Sequence, residues 1–174
     1  MAAGKRSVTH RVAVAAAWAA FVLGAGYAAV SAYWGLGGTA LLDTLGGALE
    51  REARSGSAGS LILVWSTAVL KLCAAVLPVA VIRGAGYLSG RPWPRTLAWI
   101  EGAVLTVYGL VLTVVGLLVQ VGILTPSRHS DHRALAWHAF LWDPWFLCWG
   151  VLVAIAMFAS REPESPQFRG EALV

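Results

Sequence analysis

The chain has 174 residues, 58% of them hydrophobic and 13% charged, with a mean hydropathy of +0.69. A soluble domain carries about 25% charged residues, so charge has been cleared from long stretches and a soluble enzyme is excluded. The formal net charge is +4, but no basic stripe interleaves with exposed aromatics, which argues against a nucleic-acid partner.

Four apolar segments follow in order: Val12–Ala32, Leu61–Ile82, Thr96–Val119 and Pro144–Ser160, of 21, 22, 24 and 17 residues. Each approaches or exceeds the roughly 20 residues that cross ~30 Å of hydrocarbon. The expectation is an all-α polytopic membrane protein: one domain over residues 1–174, a bundle of four transmembrane helices. Lys5, Arg6 and Arg11 precede the first segment, and Val30-Ser31-Ala32 has the look of a cleavage site. The apolar run is longer than the 7–15 residues of a signal peptide's core, so it is read as helix 1.

Lys and Arg number three before helix 1, three in Arg83–Arg95 and two in the tail, against two in each of the loops Tyr33–Ser60 and Leu124–Asp143. Basic residues favour the cytoplasm, which predicts both termini inside and the loops 33–60 and 124–143 outside. Cys73 and Cys148 differ in depth by about 12 Å, too far for a disulfide.

Beyond helix 1, Tyr33 and Trp34 sit as an interfacial belt would, and glycines in GLGG turn the chain. Leu41, Leu42, Leu45 and Leu49 recur at helical spacing opposite Asp43 and Glu50, predicting an amphipathic helix that Gly46 and Gly47 weaken. SGSAGS, 55 to 60, reads as linker. Neither GLGG nor GAGYLSG has the strand before or the Lys-Ser/Thr after that a phosphate loop needs, and no motif calls for a cofactor.

In helix 3, Gly102, Gly109 and Gly116 recur every seven residues, with Thr106, Thr113 and Gln120 beside them. Small residues let backbones approach, so this stripe predicts a packing surface for a neighbouring helix or for a protein partner. Trp18 to Tyr27 and Trp99 to Tyr108 are equally spaced, which hints that the two hairpins are repeats.

Two ionisable groups fall inside the apolar segments, Lys71 and Glu101, and such groups are functional candidates by default. Side chains tilt toward a helix N-terminus, which sends Lys71 outward and Glu101 inward in helices of opposite direction. Glu101 is expected to reach Arg95 or Arg83. Lys71 is expected to face Tyr108 and an outer-side aromatic pocket holding Tyr33, Asp43, His138 and Asp143, walled by Trp34, Trp65, Trp137, Trp142 and Trp145. A proton donor in such a box can protonate a lipophilic substrate, and aromatic faces stabilise developing positive charge. The plainer expectation is that these rings are an interfacial belt and that Lys71 fills a wet cavity. His129-x-x-His132 falls short of the ligand sets zinc uses, so no metal is expected. Asp143-Pro144 reads as the start of helix 4, Asp as cap and Pro in the first turn.

AYWGLGG (32 to 38), HAFLWDPWFLCWG (138 to 150) and WIEGAVLTVYGL (99 to 110) resemble a family of small bacterial four-helix membrane proteins, a domain of unknown function. The resemblance extends over essentially the whole chain. It implies four transmembrane helices in a bacterial inner membrane, surrounded by its lipids, and brings no reaction or catalytic residues. From the residues themselves, three roles stay open. One is an enzyme or binder for a lipophilic, isoprenoid-like molecule, with His138 as proton carrier, Asp143 or Asp43 orienting it, and Lys71 and Tyr108 polarising the substrate. The others are an accessory subunit or scaffold, and a proton or small-solute transporter using Lys71 and Glu101.

Overall fold

The protein is all-helical among the described residues of the computed structural model, which are 2–84, 91–126 and 131–161, with backbone only for 2–7, 48 and 49. Its elements are α1 (Ala2–Gly35), a 3₁₀ turn (Leu42–Thr44), α2 (Gly47–Ser55), α3 (Ala58–Arg83), α4 (Pro92–Gln120), α5 (His132–Trp137), a π-helical turn (His138–Trp142) and α6 (Asp143–Ala159).

Four spans are long and apolar enough to cross a membrane: Val8–Gly35, Ala58–Arg83, Pro92–Gln120 and His132–Ala159. This is a multi-pass membrane protein. The spans have 26 to 29 residues, about 40 Å at 1.5 Å per residue, so each outruns the hydrocarbon core and projects into the interface or tilts.

Three of the spans run close to the apolar segments of the sequence; the fourth differs. It begins at His132, capped by Asp131, whose Oδ1 accepts from the backbone N–H of Arg133 at 2.8 Å and of Ala134 at 3.3 Å. Asp143-Pro144, expected to open the helix, lies in its interior. The cap chemistry is of the expected kind, but it falls twelve residues earlier, at Asp131. The amphipathic helix expected around Leu41–Leu49 is also corrected. It is two pieces, broken where Gly46 and Gly47 take φ of 66° and 62°, a region that costs a side chain energy and glycine little.

Packing follows small residues. On α1 the buried face is Ala13, Ala16, Ala17, Ala20, Gly24, Tyr27, Ala28 and Ser31, which recur at the period of one helix face. A Cβ on Gly24 would lie 2.7 Å from Ala75 of α3 and 2.6 Å from the Trp149 ring of α6, so these three residues share one level. The stripe on α4 is spent inside the chain. Gly102 faces Val153 and Ala154, Gly109 abuts the Leu147 backbone, and Gly116 lies against Ala139. That contact places α4 on the fourth span, with Gly102 and Gly109 buried and Gly116 partly so.

The two hairpins echo each other at the end of the bundle nearer the termini. Arg83, at the end of α3, lies 5.4 Å from the Trp18 ring. Arg161, past the end of α6, lies 4.4 Å from the Trp99 ring. The equal spacing read in the sequence therefore has a matching contact in each half.

Candidate functional site at the helical bulge

Pro144 has no N–H, and its ring would clash with the Phe140 carbonyl in a straight α-helix. The chain relieves this with one π turn, in which the Asp143 N–H bonds the His138 carbonyl. In an α-helix residues five apart point about 140° away from each other; at π spacing they stand on one side. His138 Nδ1 thus lies 3.3 Å from Asp143 Oδ1. The Asp143 side chain is 6% exposed and that of His138 is 36% exposed.

The other ring nitrogen, His138 Nε2, lies 3.3 Å from the Leu45 carbonyl oxygen. Both nitrogens therefore face acceptors. A neutral imidazole carries one N–H and donates to one of them; the doubly protonated ring donates to both. Asp143 sets one side of the ring, and the loop after α1 sets the other.

That loop is pinned by Thr44. Its hydroxyl donates to the Leu41 carbonyl at 2.6 Å and accepts from Trp142 Nε1 at 3.0 Å. Leu41 sits at φ 61°, a left-handed geometry that costs an L-residue about 1–2 kcal/mol. The bonds around Thr44 hold it there.

Tyr27 of α1 lies beneath this level. Trp142 and Trp145 stack on it with centroids 5.4 and 5.5 Å away, and Phe146 meets it edge-on at 4.7 Å. Lys71 Nζ stands 4.0 Å from the centroid of the same ring and donates to the buried Ser31 hydroxyl at 2.8 Å. Tyr108 joins the group through Phe146, whose ring it meets edge-on at 5.4 Å. The assembly links a carboxylate, an imidazole, an ammonium and two phenols around stacked rings.

Sequence-expected residues divide accordingly. His138, Asp143, Lys71, Trp142 and Trp145 come together, and Trp34 joins edge-on to Trp142 at 6.0 Å. Asp43 does not reach His138; it pairs with Arg133 at 2.9 Å. Tyr33 and Trp65 are exposed and lie over Gly38 and Gly35. Trp137 is partly buried in α5, just before the bulge. Tyr108 is half-exposed, with its ring edge-on to Phe146. Where an open pocket was expected, the rings fill the space, with Trp142 1% and Tyr27 6% exposed. The sequence marks Tyr27 only by its spacing from Trp18, Ser31 only within a cleavage-like triplet and Thr44 not at all, although Tyr27, Ser31 and Trp34 fall at helical spacing on one face of α1.

Glu101 stands apart. Both carboxyl oxygens are buried without a hydrogen-bond partner, and the expected contact with an arginine is not made. Arg95 instead donates to the Met157 carbonyl and the Ser160 hydroxyl, closing the end of α6, while Arg83 covers Trp18. Glu101 neighbours Gly102 at the level of Ala154, whereas Lys71 lies level with Trp145, about 14 Å away along the helix axis. His132 is exposed at the start of α5, and His129 lies outside the described residues.

A family model described as "Protein of unknown function (DUF3995)" matches residues 23–153, 131 of the 174. The chain belongs to the DUF3995 family. No curated protein and no solved structure matches it. The DUF3995 span contains the whole cluster from Tyr27 to Trp149 and both aromatic stretches first singled out in the sequence. It stops short of Arg161 at the opposite end.

Proposed function

We propose that this DUF3995 protein lies in the bacterial cytoplasmic membrane with both termini in the cytoplasm, and that it binds and acts on a lipophilic, isoprenoid-like molecule at the loop end of its bundle. His138 carries the proton and Asp143 orients the ring. The observation that carries this reading is the grip on His138. One imidazole, a third of its side chain open, is held between a buried carboxylate and a backbone carbonyl at a π-bulge, a feature frequent at functional sites.

The chemistry is acid–base isomerisation or cyclisation. The imidazolium gives its proton to one carbon of a double bond, and positive charge develops on the other. Loss of a proton from a neighbouring carbon to the imidazole restores catalyst and double bond; attack by a second double bond on the cation closes a ring before that loss. Aromatic faces favour the cationic stage, and Tyr27, Trp142 and Trp145 supply them. Lys71 and Tyr108 polarise the site through Tyr27 and Phe146.

The scaffold and transporter readings have less behind them. The glycine stripe that a partner would use packs on the π turn and α6, and Lys71 and Glu101 lie at different depths with no polar bridge between them among the described residues.

The test is purification from the native membrane, with copurifying lipids and proteins identified by mass spectrometry. A bound lipophilic molecule that the protein converts, with conversion abolished in His138→Ala, is the expected result. A stoichiometric protein partner without any small molecule overturns the proposal, and so does unchanged turnover in His138→Ala.

A further inference from the structure

At the other end of the bundle, a cavity of about 470 Å³ opens between α1, α4 and α6, lined by Thr9, Trp99, Ala154, Ile155, Phe158 and Ala159. That volume falls within the range of about 300–1,000 Å³ of small-molecule sites. Apart from the Thr9 hydroxyl and the indole N–H of Trp99, every lining side chain is hydrocarbon, and none is acidic. Two of the walls, Trp99 and Phe158, carry the Arg161 guanidinium, 4.4 and 4.7 Å from their ring centroids. The cation is held by the cavity's own rings, at the cavity's edge.

A second cation stands nearby. Arg95 donates through Nη2 to the Met157 carbonyl at 3.3 Å and the Ser160 hydroxyl at 3.0 Å. A guanidinium has five N–H donors in a planar fork suited to phosphate. Arg95 is therefore fixed by α6 through one nitrogen while keeping other donors. Ser160 and Arg161 are adjacent, so both guanidinium groups belong to the same end of α6.

An apolar slot with cations at one end matches one kind of molecule, a phosphate attached to a hydrocarbon chain. We propose that this slot holds an acyl chain of an anionic phospholipid, with its phosphate on Arg161 and Arg95. Basic pockets between transmembrane helices on the cytoplasmic side bind such headgroups, and this is the side assigned to the termini by the Lys and Arg count. Free phosphate lacks the chain that the slot accommodates, and a zwitterionic lipid carries a cation of its own toward the arginines. The site is remote from His138 and stands whether or not that residue does chemistry.

The experiment is native mass spectrometry of the full-length protein with dioleoyl phosphatidylglycerol or dioleoyl phosphatidylcholine. The wild type is expected to retain the anionic phosphatidylglycerol in preference. Arg161→Gln is expected to lose about fivefold of that preference, the factor corresponding to about 1 kcal/mol per basic residue near a charged surface. Ala159→Leu fills the slot and leaves both arginines, and is expected to reduce retention of the lipid itself. Excess inorganic phosphate is expected not to displace it. Equal retention of the two lipids by the wild type, an undiminished preference in Arg161→Gln, full retention in Ala159→Leu or displacement by phosphate each overturns the assignment.

Discussion

His138 and Asp143 face each other at 3.3 Å although they stand five positions apart in one continuous helical span. The π turn between them is what makes this possible, and Pro144 is the reason for the turn. A residue with no N–H to give and a ring that crowds the preceding carbonyl has been placed where opening the helix brings a histidine over a buried acid.

Pro144→Ala restores an N–H at that position, and the turn is expected to rewind toward α geometry and separate the pair. The coupling between His138→Ala and Asp143→Asn, measured by unfolding in detergent, should lie within the roughly 0.5–3 kcal/mol seen for residues in contact. In the Pro144→Ala background it should fall close to zero. Undiminished coupling there would show that something other than the proline holds the bulge.

The glycines of the α4–α6 seam differ sharply in what a methyl group would meet. A Cβ on Gly109 strikes the Leu147 backbone, 2.7 Å from its Cα, and one on Gly150 strikes the Thr106 backbone N. Each alanine substitution is expected to cost about 1–3 kcal/mol through forced separation of the helices. Gly59, in the first turn of α3, has its nearest neighbour at 3.9 Å. Gly59→Ala is expected to be neutral or to stabilise by about 0.5–1 kcal/mol. Thermal unfolding of the three variants decides it, and equal losses would mean that the seam is not where the bundle is tightest.

Lys71 and Glu101 are expected to behave as independent sites, since Lys71 meets Ser31 and Tyr27 while Glu101 has no hydrogen-bond partner. Leu in place of Glu101 removes two buried oxygens that have no partner, and is expected to stabilise by about 1–3 kcal/mol. Lys71→Met is expected to change stability less, since it removes a bond to Ser31 worth up to about 1.7 kcal/mol in a membrane together with a charge that is costly to bury. The double variant should be additive within about 0.5 kcal/mol. An interaction energy well above that would place the two side chains in one network after all.

Much of this protein is legible in its sequence because membrane insertion depends on composition and length. Charge-poor runs of sufficient length mark four spans, and a seven-residue glycine period marks the face along which α4 makes its closest approach. Capping chemistry was legible as well, in that Asp before a helix was the right signal. Asp131 and Asp143 both satisfy it, and local rules cannot choose between two candidates twelve residues apart.

Only the tertiary structure decided the rest. Whether Asp143 caps a helix or lies buried inside one depends on whether the chain before it is helical. That in turn rests on α5 packing against the loop after α1. His138 meets the Leu45 carbonyl across 93 positions, Trp142 meets Thr44 across 98, and Lys71 meets Ser31 across 40. Sequence spacing sets which residues share a face of one helix. Which face of another helix they meet is set by how the backbones close on one another, and here that is governed by the small residues of the seams and by the one turn that Pro144 prevents from winding as α.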